Sequence, residues 1–252
     1  MGNIWKIASF NVSGGFYIGN EDTEYLDREA SDSIDDRMLK QIIDTINSED
    51  IDVICFQEII TTKEVKYIER IAENTKLKYH DEYELSPCNL VKDTNCGLAI
   101  LSKYPITNTI KEFFPNPKLS KTTSSGNTYY TYDKGYMICS IKKEDEEFKV
   151  LTHHGFPYRR FNSAPELNKP VFDFFSKVIL ENLPTAITGD FNAENFMELM
   201  EDVANKYTRT INKITTVDGK MFDDICVLKD IKNESKIVKL LSDHFLVITT
   251  IK

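Results

Sequence analysis

Apolar positions recur along the chain with two different periods, and each change of period marks the edge of an element. Residues 4–11 alternate into an apolar run that breaks at Ser13-Gly14-Gly15, the pattern of a buried strand ending in a loop. Residues 19–36 are acidic and small with no clear period, after which Met38, Ile42, Ile43 and Ile46 recur at helical spacing. The apolar run 51–56 predicts a second strand that stops at Gln57-Glu58, and Val65, Ile68 and Ile71 predict the helix behind it. The opening therefore reads strand, helix, strand, helix.

The middle of the chain changes character. Segments 97–101, 129–132, 136–141 and 148–152 are short, β-rich and separated by Pro, Gly, Asn or charged turns. Residues 144–147, all acidic, predict a solvated hairpin tip. Phe172, Phe175, Val178 and Ile179 then predict a helix, residues 185–188 a buried strand, 196–203 a helix, and 222–228 and 245–251 two closing strands. No repeat, low-complexity stretch or Pro/Ser-rich linker interrupts this order. The expectation is a single α/β domain over residues 1–252, with two sheets packed together and helices outside.

Composition narrows the picture without changing it. Apolar residues at 41% and charged residues at 28% exclude a disordered chain, collagen or a coiled coil. A net charge of −9 offers no long-range attraction to a polyanion, so any nucleic-acid contact must be local. No run approaches the roughly 18 apolar residues of a membrane span, and the first residues lack a signal-peptide core, so a cytoplasmic location is expected. The five cysteines are odd in number and form no C-x-x-C pair, which predicts reduced thiols and argues against a cysteine-ligated metal.

Candidate chemistry sits where apolar strands run out, because a strand end holds a side chain rigidly at a rim open to solvent. Six places qualify: Asn11, Gln57-Glu58, His153-His154, Asp190 with Asn192, Asp223, and Asp243-His244. Taken singly, each carboxylate or Asn is an ordinary Asx-turn or helix cap, and a lone His is an inert surface residue. Together they carry more weight, since three of the chain's four histidines fall in these segments. Asn11, Glu58 and Asp243 offer hard oxygen ligands suited to Mg²⁺ or Mn²⁺, whereas zinc wants more histidine or cysteine. The remaining Asp and His residues supply what phosphoester hydrolysis needs, a base for water and a donor for the charge building on phosphoryl oxygens. No phosphate-binding Gly-rich loop ending in Lys-Ser/Thr and no Gly-x-Ser-x-Gly elbow is present.

The segments KIASFNVSGG, DVICFQEI, GLAILSKYPI, VLTHHGFP, ITGDFNAE, FDDICV and LLSDHFLV resemble, in order, those of the endonuclease/exonuclease/phosphatase superfamily with its deoxyribonuclease I-like fold. The resemblance spans nearly the whole chain except the acidic loop 19–36. It implies a four-layer α/β/β/α sandwich of two packed, mostly antiparallel sheets flanked by helices, with a divalent-metal site at one rim. It implies that Asn11 and Glu58 bind the metal region, Glu58 as principal ligand, and that Asp243 completes or orients that shell. Asp190 would position or deprotonate water, Asn192 would hold a phosphate oxygen, and His244 oriented by Asp223 would meet the scissile phosphate; which of Asp190 and His244 is the base stays open.

A His in the 153–154 segment resembles the branch of deoxyribonuclease I, the neutral sphingomyelinases and many inositol-phosphate phosphatases rather than the abasic-site endonucleases. Strand alternation sends only one of the two to the rim, and the spacing from His154 to Pro157 resembles the His-to-Pro spacing of deoxyribonuclease I, which implies His154. Arg159 and Arg160, with Tyr158 and Phe161, form a small basic and aromatic patch, with Arg159 the expected substrate contact. The expected function is a Mg²⁺-dependent phosphodiesterase or nuclease; the alternatives are a phosphatase or phospholipase C acting on inositol phosphate or a sphingomyelin-like headgroup, and a non-catalytic module on the same fold. The expected partner is a phosphoester substrate, with a monomeric enzyme and no obligate protein partner.

Overall fold

A computed structural model of the protein describes residues 4–15, 31 and 35–252, so most of the acidic loop 19–36 lies outside the described residues. In chain order the elements are β1 (Trp5–Asn11), α1 (Asp36–Glu49), β2 (Val53–Ile60), α2 (Tyr67–Glu73), β3 (Tyr79–Pro87), β4 (Asn95–Ser102) and β5 (Ile106–Phe113). They continue through β6 (Ser120–Thr122), β7 (Thr128–Tyr130), β8 (Gly135–Lys143), β9 (Glu146–His154), α3 (Lys169–Asn182) and β10 (Ala186–Asp190). The chain closes with α4 (Phe196–Leu199), α5 (Glu201–Ala204), β11 (Tyr207–Arg209), β12 (Asp223–Leu228), β13 (Asn233–Val238) and β14 (Leu246–Ile251). One six-stranded sheet has the order β13-β14-β1-β2-β4-β3 and the other β11-β12-β10-β9-β8-β5, while β6 and β7 form a separate hairpin. In each large sheet a single pair is parallel, β1 with β2 and β9 with β10, and the rest are antiparallel.

The period-2 pattern of the central strands explains the layering, because successive side chains enter different cores. Ile7, Val53, Cys55 and Ile100 point between the sheets, where they meet Met137, Val150, Ile225 and Val227. Their neighbours Ala8, Ile54, Phe56 and Leu101 face outward onto Met38, Ile42 and Ile46 of α1 and Ile68 and Ile71 of α2. On the other sheet, Ile138, Leu151 and Ile187 face Phe172, Phe175 and Ile179 of α3 and Phe196 of α4. Three cores separated by two sheets make the α/β/β/α sandwich. All five cysteines are buried and free, and burial pushes the Cys55 thiol up to about 12.

The helices have local reasons to stop and start. Asp35 caps α1 by accepting the Arg37 N–H, and Asp50 ends it in the left-handed conformation at φ 51°. Three elements depart from the pattern in the sequence. The helix expected over 196–203 is two short helices broken at Met200 (φ −128°, ψ 58°), and β2 does not stop at Gln57-Glu58 but runs on to Ile60. The segment expected over 129–132 lies partly in the separate β6–β7 hairpin rather than in a main sheet. No helix among the described residues is long and apolar enough to cross a membrane.

Candidate active site

Strand direction brings the polar strand ends to one rim. Asp190 ends β10 opposite Asp223 of antiparallel β12, and beside His154 of parallel β9. Asn11 ends β1 beside Gln57 of parallel β2, and Asp243-His244 precede β14, which runs back antiparallel to β1. The two sheets are pinned together at this rim by buried hydrogen bonds: Asn11 Nδ2 donates to Asp190 Oδ2 at 3.0 Å, and Gln57 Nε2 donates to Thr152 Oγ1 at 2.9 Å.

Glu58 owes its position to a β-bulge. The pairing of β2 with β4 shifts register between Gln57 and Ile59, and Glu58 occupies the extra position at φ 51°. A bulge re-aims one side chain without ending the strand, and here it turns the Glu58 carboxylate towards His154, whose Nε2 lies 3.4 Å from Oε1. The same imidazole nitrogen lies 3.6 Å from Asp190 Oδ2. On its other side Lys134 Nζ is 3.0 Å from His154 Nδ1. An ammonium can only donate, so Nδ1 is the acceptor and Nε2 carries the proton facing the carboxylates. Burial, reinforced by the charge of Lys134, holds the His154 pKa well below its ordinary value, and the ring is neutral at pH 7.

The other histidine is charged. His244 Nδ1 lies 3.0 and 2.9 Å from the two Asp223 carboxylate oxygens, and its Nε2 faces Asp190 Oδ2 at 3.8 Å. Burial opposes the charge, but the carboxylates of Asp223, Asp243 and Asp190 outweigh it and hold the His244 pKa well above the ordinary value. Asp190 moves the other way: burial pushes it up to about 6, against the pull of His244. Its Oδ1 accepts the Asn192 N–H at 2.8 Å, and Asn192, in the left-handed region at φ 50°, donates its amide to the Gly155 carbonyl at 3.2 Å. Asp243 accepts from the Ser13 hydroxyl in the turn that follows β1. Asn11 Oδ1 accepts the Ser13 N–H at 3.0 Å, so both ends of that amide are engaged.

Adjacent histidines take opposite faces, as the pleat requires. His153 is buried away from the rim among Phe114, Phe175 and Phe191, with ring centroids 4.5 Å from Phe175 and 4.3 Å from Phe191. Neither of its ring nitrogens has a hydrogen-bond partner among the described residues, and burial pushes its pKa down to about 3. Gly189 makes room for it: a Cβ there would stand 2.3 Å from the His153 carbonyl oxygen, in a backbone conformation (φ 152°) that side chains rarely adopt.

The two adjacent arginines of the basic patch border different cavities. Arg159 is exposed, pairs with Asp218 at 3.2 Å, and borders a cavity with Asn192, Lys220 and Phe222. Arg160 instead shares a cavity with Glu58 and Lys134, and its charge reaches His154 and Asp243. Lys134 and Ser13 were not singled out from sequence. Lys134 directly precedes β8, antiparallel to β9, so the strand-end rule applied to strand starts as well as ends finds it.

Asp190, Asp223 and His244 form a candidate metal site, with one ligand atom from each lying within 4.8 Å of the others. The donor set as a whole fits a hard divalent cation. Glu58, Asp190, Asp223 and Asp243 gather at one partly buried rim, where burial and the charge of Asp223 drive Asp190 towards protonation, and a cation among oxygen ligands relieves that crowding.

The chain matches the model of the Endonuclease/Exonuclease/phosphatase family over residues 8–210. No curated protein matches it significantly. Among solved structures, an endonuclease/exonuclease/phosphatase from Bacteroides vulgatus aligns with TM-score 0.64 at 14% identity, covering 100% of this chain and 99% of that one. D. rerio TDP2 complexed with a single-strand DNA product aligns with TM-score 0.63 at 14% identity, covering 100% of both chains. The Bacteroides thetaiotaomicron mannosyl-6-phosphatase Bt3783 aligns with TM-score 0.59 at 16% identity, covering 98% of this chain and 99% of that one. At these identities the likeness is one of fold.

Proposed function

The chain belongs to the endonuclease/exonuclease/phosphatase family, and from that premise we propose that it is a Mg²⁺- or Mn²⁺-dependent phosphoester hydrolase, a phosphodiesterase or nuclease that cleaves a P–O bond by attack of water. The observation that carries this reading is the buried Asp223–His244 pair, whose free imidazole nitrogen faces Asp190 at 3.8 Å on a rim with Glu58 and His154.

Each residue has a separable task. The two Asp223 oxygens occupy His244 Nδ1, which fixes the ring and leaves Nε2–H to hydrogen-bond a phosphoryl oxygen as its charge builds. Asp190, with a pKa of about 6, is largely ionised at neutral pH and suits the orientation of a water molecule and acceptance of its proton. The backbone N–H of Asn192 and the Asn11 amide hold the Asp190 carboxylate in place. Neutral His154 offers Nε2–H as a second donor without adding charge. Glu58 and Asp243 are the oxygen ligands that would hold the cation. Bound there, it would supply Lewis-acid polarisation of the phosphoryl group. Asp223 and His244 are engaged with each other and are better suited to proton handling than to ligation.

A second reading, a phosphatase acting on a phosphomonoester, draws support from the likeness to the mannosyl-6-phosphatase, as the first does from the likeness to TDP2 with its DNA product. Both need the same rim. The deciding experiment is a panel of plasmid DNA, single-stranded oligonucleotides, RNA, sphingomyelin, inositol phosphates and sugar phosphates, each with Mg²⁺, Mn²⁺ or chelator. Hydrolysis of none of them with metal, or full turnover in excess chelator, overturns the proposal.

A further inference from the structure

A cavity of about 260 Å³ opens beside Glu58, walled by the β6–β7 hairpin on one side and by the turn Tyr158–Phe161 on the other. The hairpin shares no strand pairing with either large sheet, and Asn116 braces its base by donating to the Thr131 carbonyl and Asp133. Its contribution to the cavity is aromatic: Tyr130 and Tyr132 line it while remaining 67% and 48% exposed. Two cations also line it, Lys134, which lies against His154, and Arg160, together with the Glu58 carboxylate. Exposed tyrosines contribute little to a core, whereas a tyrosine face next to cations suits a ring attached to a phosphate.

Resting on the hydrolase reading above, we propose that this cavity is the specificity pocket and that it takes a single ring-sized unit bonded to the scissile phosphate. The ring lies against Tyr130 and Tyr132, and the phosphate oxygens lie between Lys134 and Arg160. The volume falls below the range of about 300–1,000 Å³ usual for drug-sized ligands, which suits one ring and excludes a longer chain folded into it. The chain's acidic charge offers no attraction for a long polyanion outside it. The substrate is therefore a small ring-bearing phosphate or the terminal unit of a strand, not an internal site in a duplex.

The test is calorimetric binding in Ca²⁺ buffer of adenosine 5′-monophosphate, glucose 6-phosphate, phenyl phosphate and inorganic phosphate; the first three carry a ring from three different sources. At least one should bind about tenfold or more tighter than inorganic phosphate. Tyr130→Ala and Tyr132→Ala should each weaken it by about 10- to 100-fold, the range of a lost ring-stacking contact. Tyr79→Ala, at an exposed tyrosine at the start of β3 outside this cavity, should leave binding unchanged. No advantage over inorganic phosphate, or an advantage that survives both variants, overturns the pocket. So does nicking of closed-circular DNA as fast as the preferred ring phosphate is hydrolysed. Tyrosine-dependent binding with no hydrolysis of any phosphoester under Mg²⁺ or Mn²⁺ would instead sink the hydrolase reading and leave the pocket standing.

Discussion

Replacing His153 and His154 one at a time separates packing from chemistry at two adjacent positions. His153→Ala removes a ring wedged between Phe175 and Phe191, and a buried large-to-small change of this kind costs about 2–5 kcal/mol. Part of that loss is offset, because the ring's unpartnered nitrogens carry a desolvation cost that the truncation removes, about 1–2 kcal/mol in all. The net is a destabilisation of about 1–3 kcal/mol, or about 3–10 °C in Tm for a chain of this size. His154→Ala empties a place at the rim whose neighbours are Lys134, Glu58 and Asp190, so it should lower kcat by about 10² or more. Thermal unfolding followed by circular dichroism, and kcat measured under saturating Mg²⁺ well below both melting points, give the two readouts. His153→Ala should lose Tm and keep most of its turnover, and His154→Ala the reverse. If His153→Ala is the more damaging to kcat while still folded, the assignment of faces along β9 is wrong and so is the hydrogen-bond scheme built on it.

Asp223→Asn should lower turnover by about 10²- to 10⁴-fold and bring the His244 pKa down from its raised position, because the first carboxylate opposing the burial cost is gone; an NMR titration in chelator that finds the pKa unmoved refutes the pairing. Glu58→Gln should weaken Mg²⁺ or Mn²⁺ binding by calorimetry with Tm changed by no more than a few degrees, since the side chain sits at a bulge on the rim rather than in a core; failure to fold would make Glu58 structural. Gly189→Ala should destabilise by about 3 kcal/mol or more, or prevent soluble expression, because its methyl group meets β9 backbone at 2.3 Å; a variant as stable as the parent would contradict the packing of His153 against β10. Lys134→Met should allow His154 to gain a proton at higher pH than in the parent, since the Lys134 charge is among the causes that depress it, and an unchanged His154 titration would count against their contact.

The eight central strands were legible in the sequence because each is apolar enough to show its run or alternation, and they carry the strand ends where the polar residues lie. Within the two large sheets the four strands that escaped, β3, β5, β11 and β13, are the four edges, and the short β6 of the separate hairpin escaped with them. An edge strand has one unpaired side and little core to fill, and it is kept polar against unwanted pairing, so segments such as NESKIV and ITNTIKEF carry no clear period. Local chemistry likewise marked Asn11, Glu58, His153-His154, Asp190, Asp223 and Asp243-His244 as rim candidates, but not their relations to one another. Strand direction and the stacking of two sheets decided that Asn11 would touch Asp190 across 179 residues and that His244 would meet Asp223 rather than a nearer carboxylate. The bulge that aims Glu58 depends on where β4 pairs, and the choice between Arg159 and Arg160 depends on how one short turn is rotated. Periodicity records which face a residue takes within its own element, whereas which faces meet depends on contacts between segments far apart in the chain.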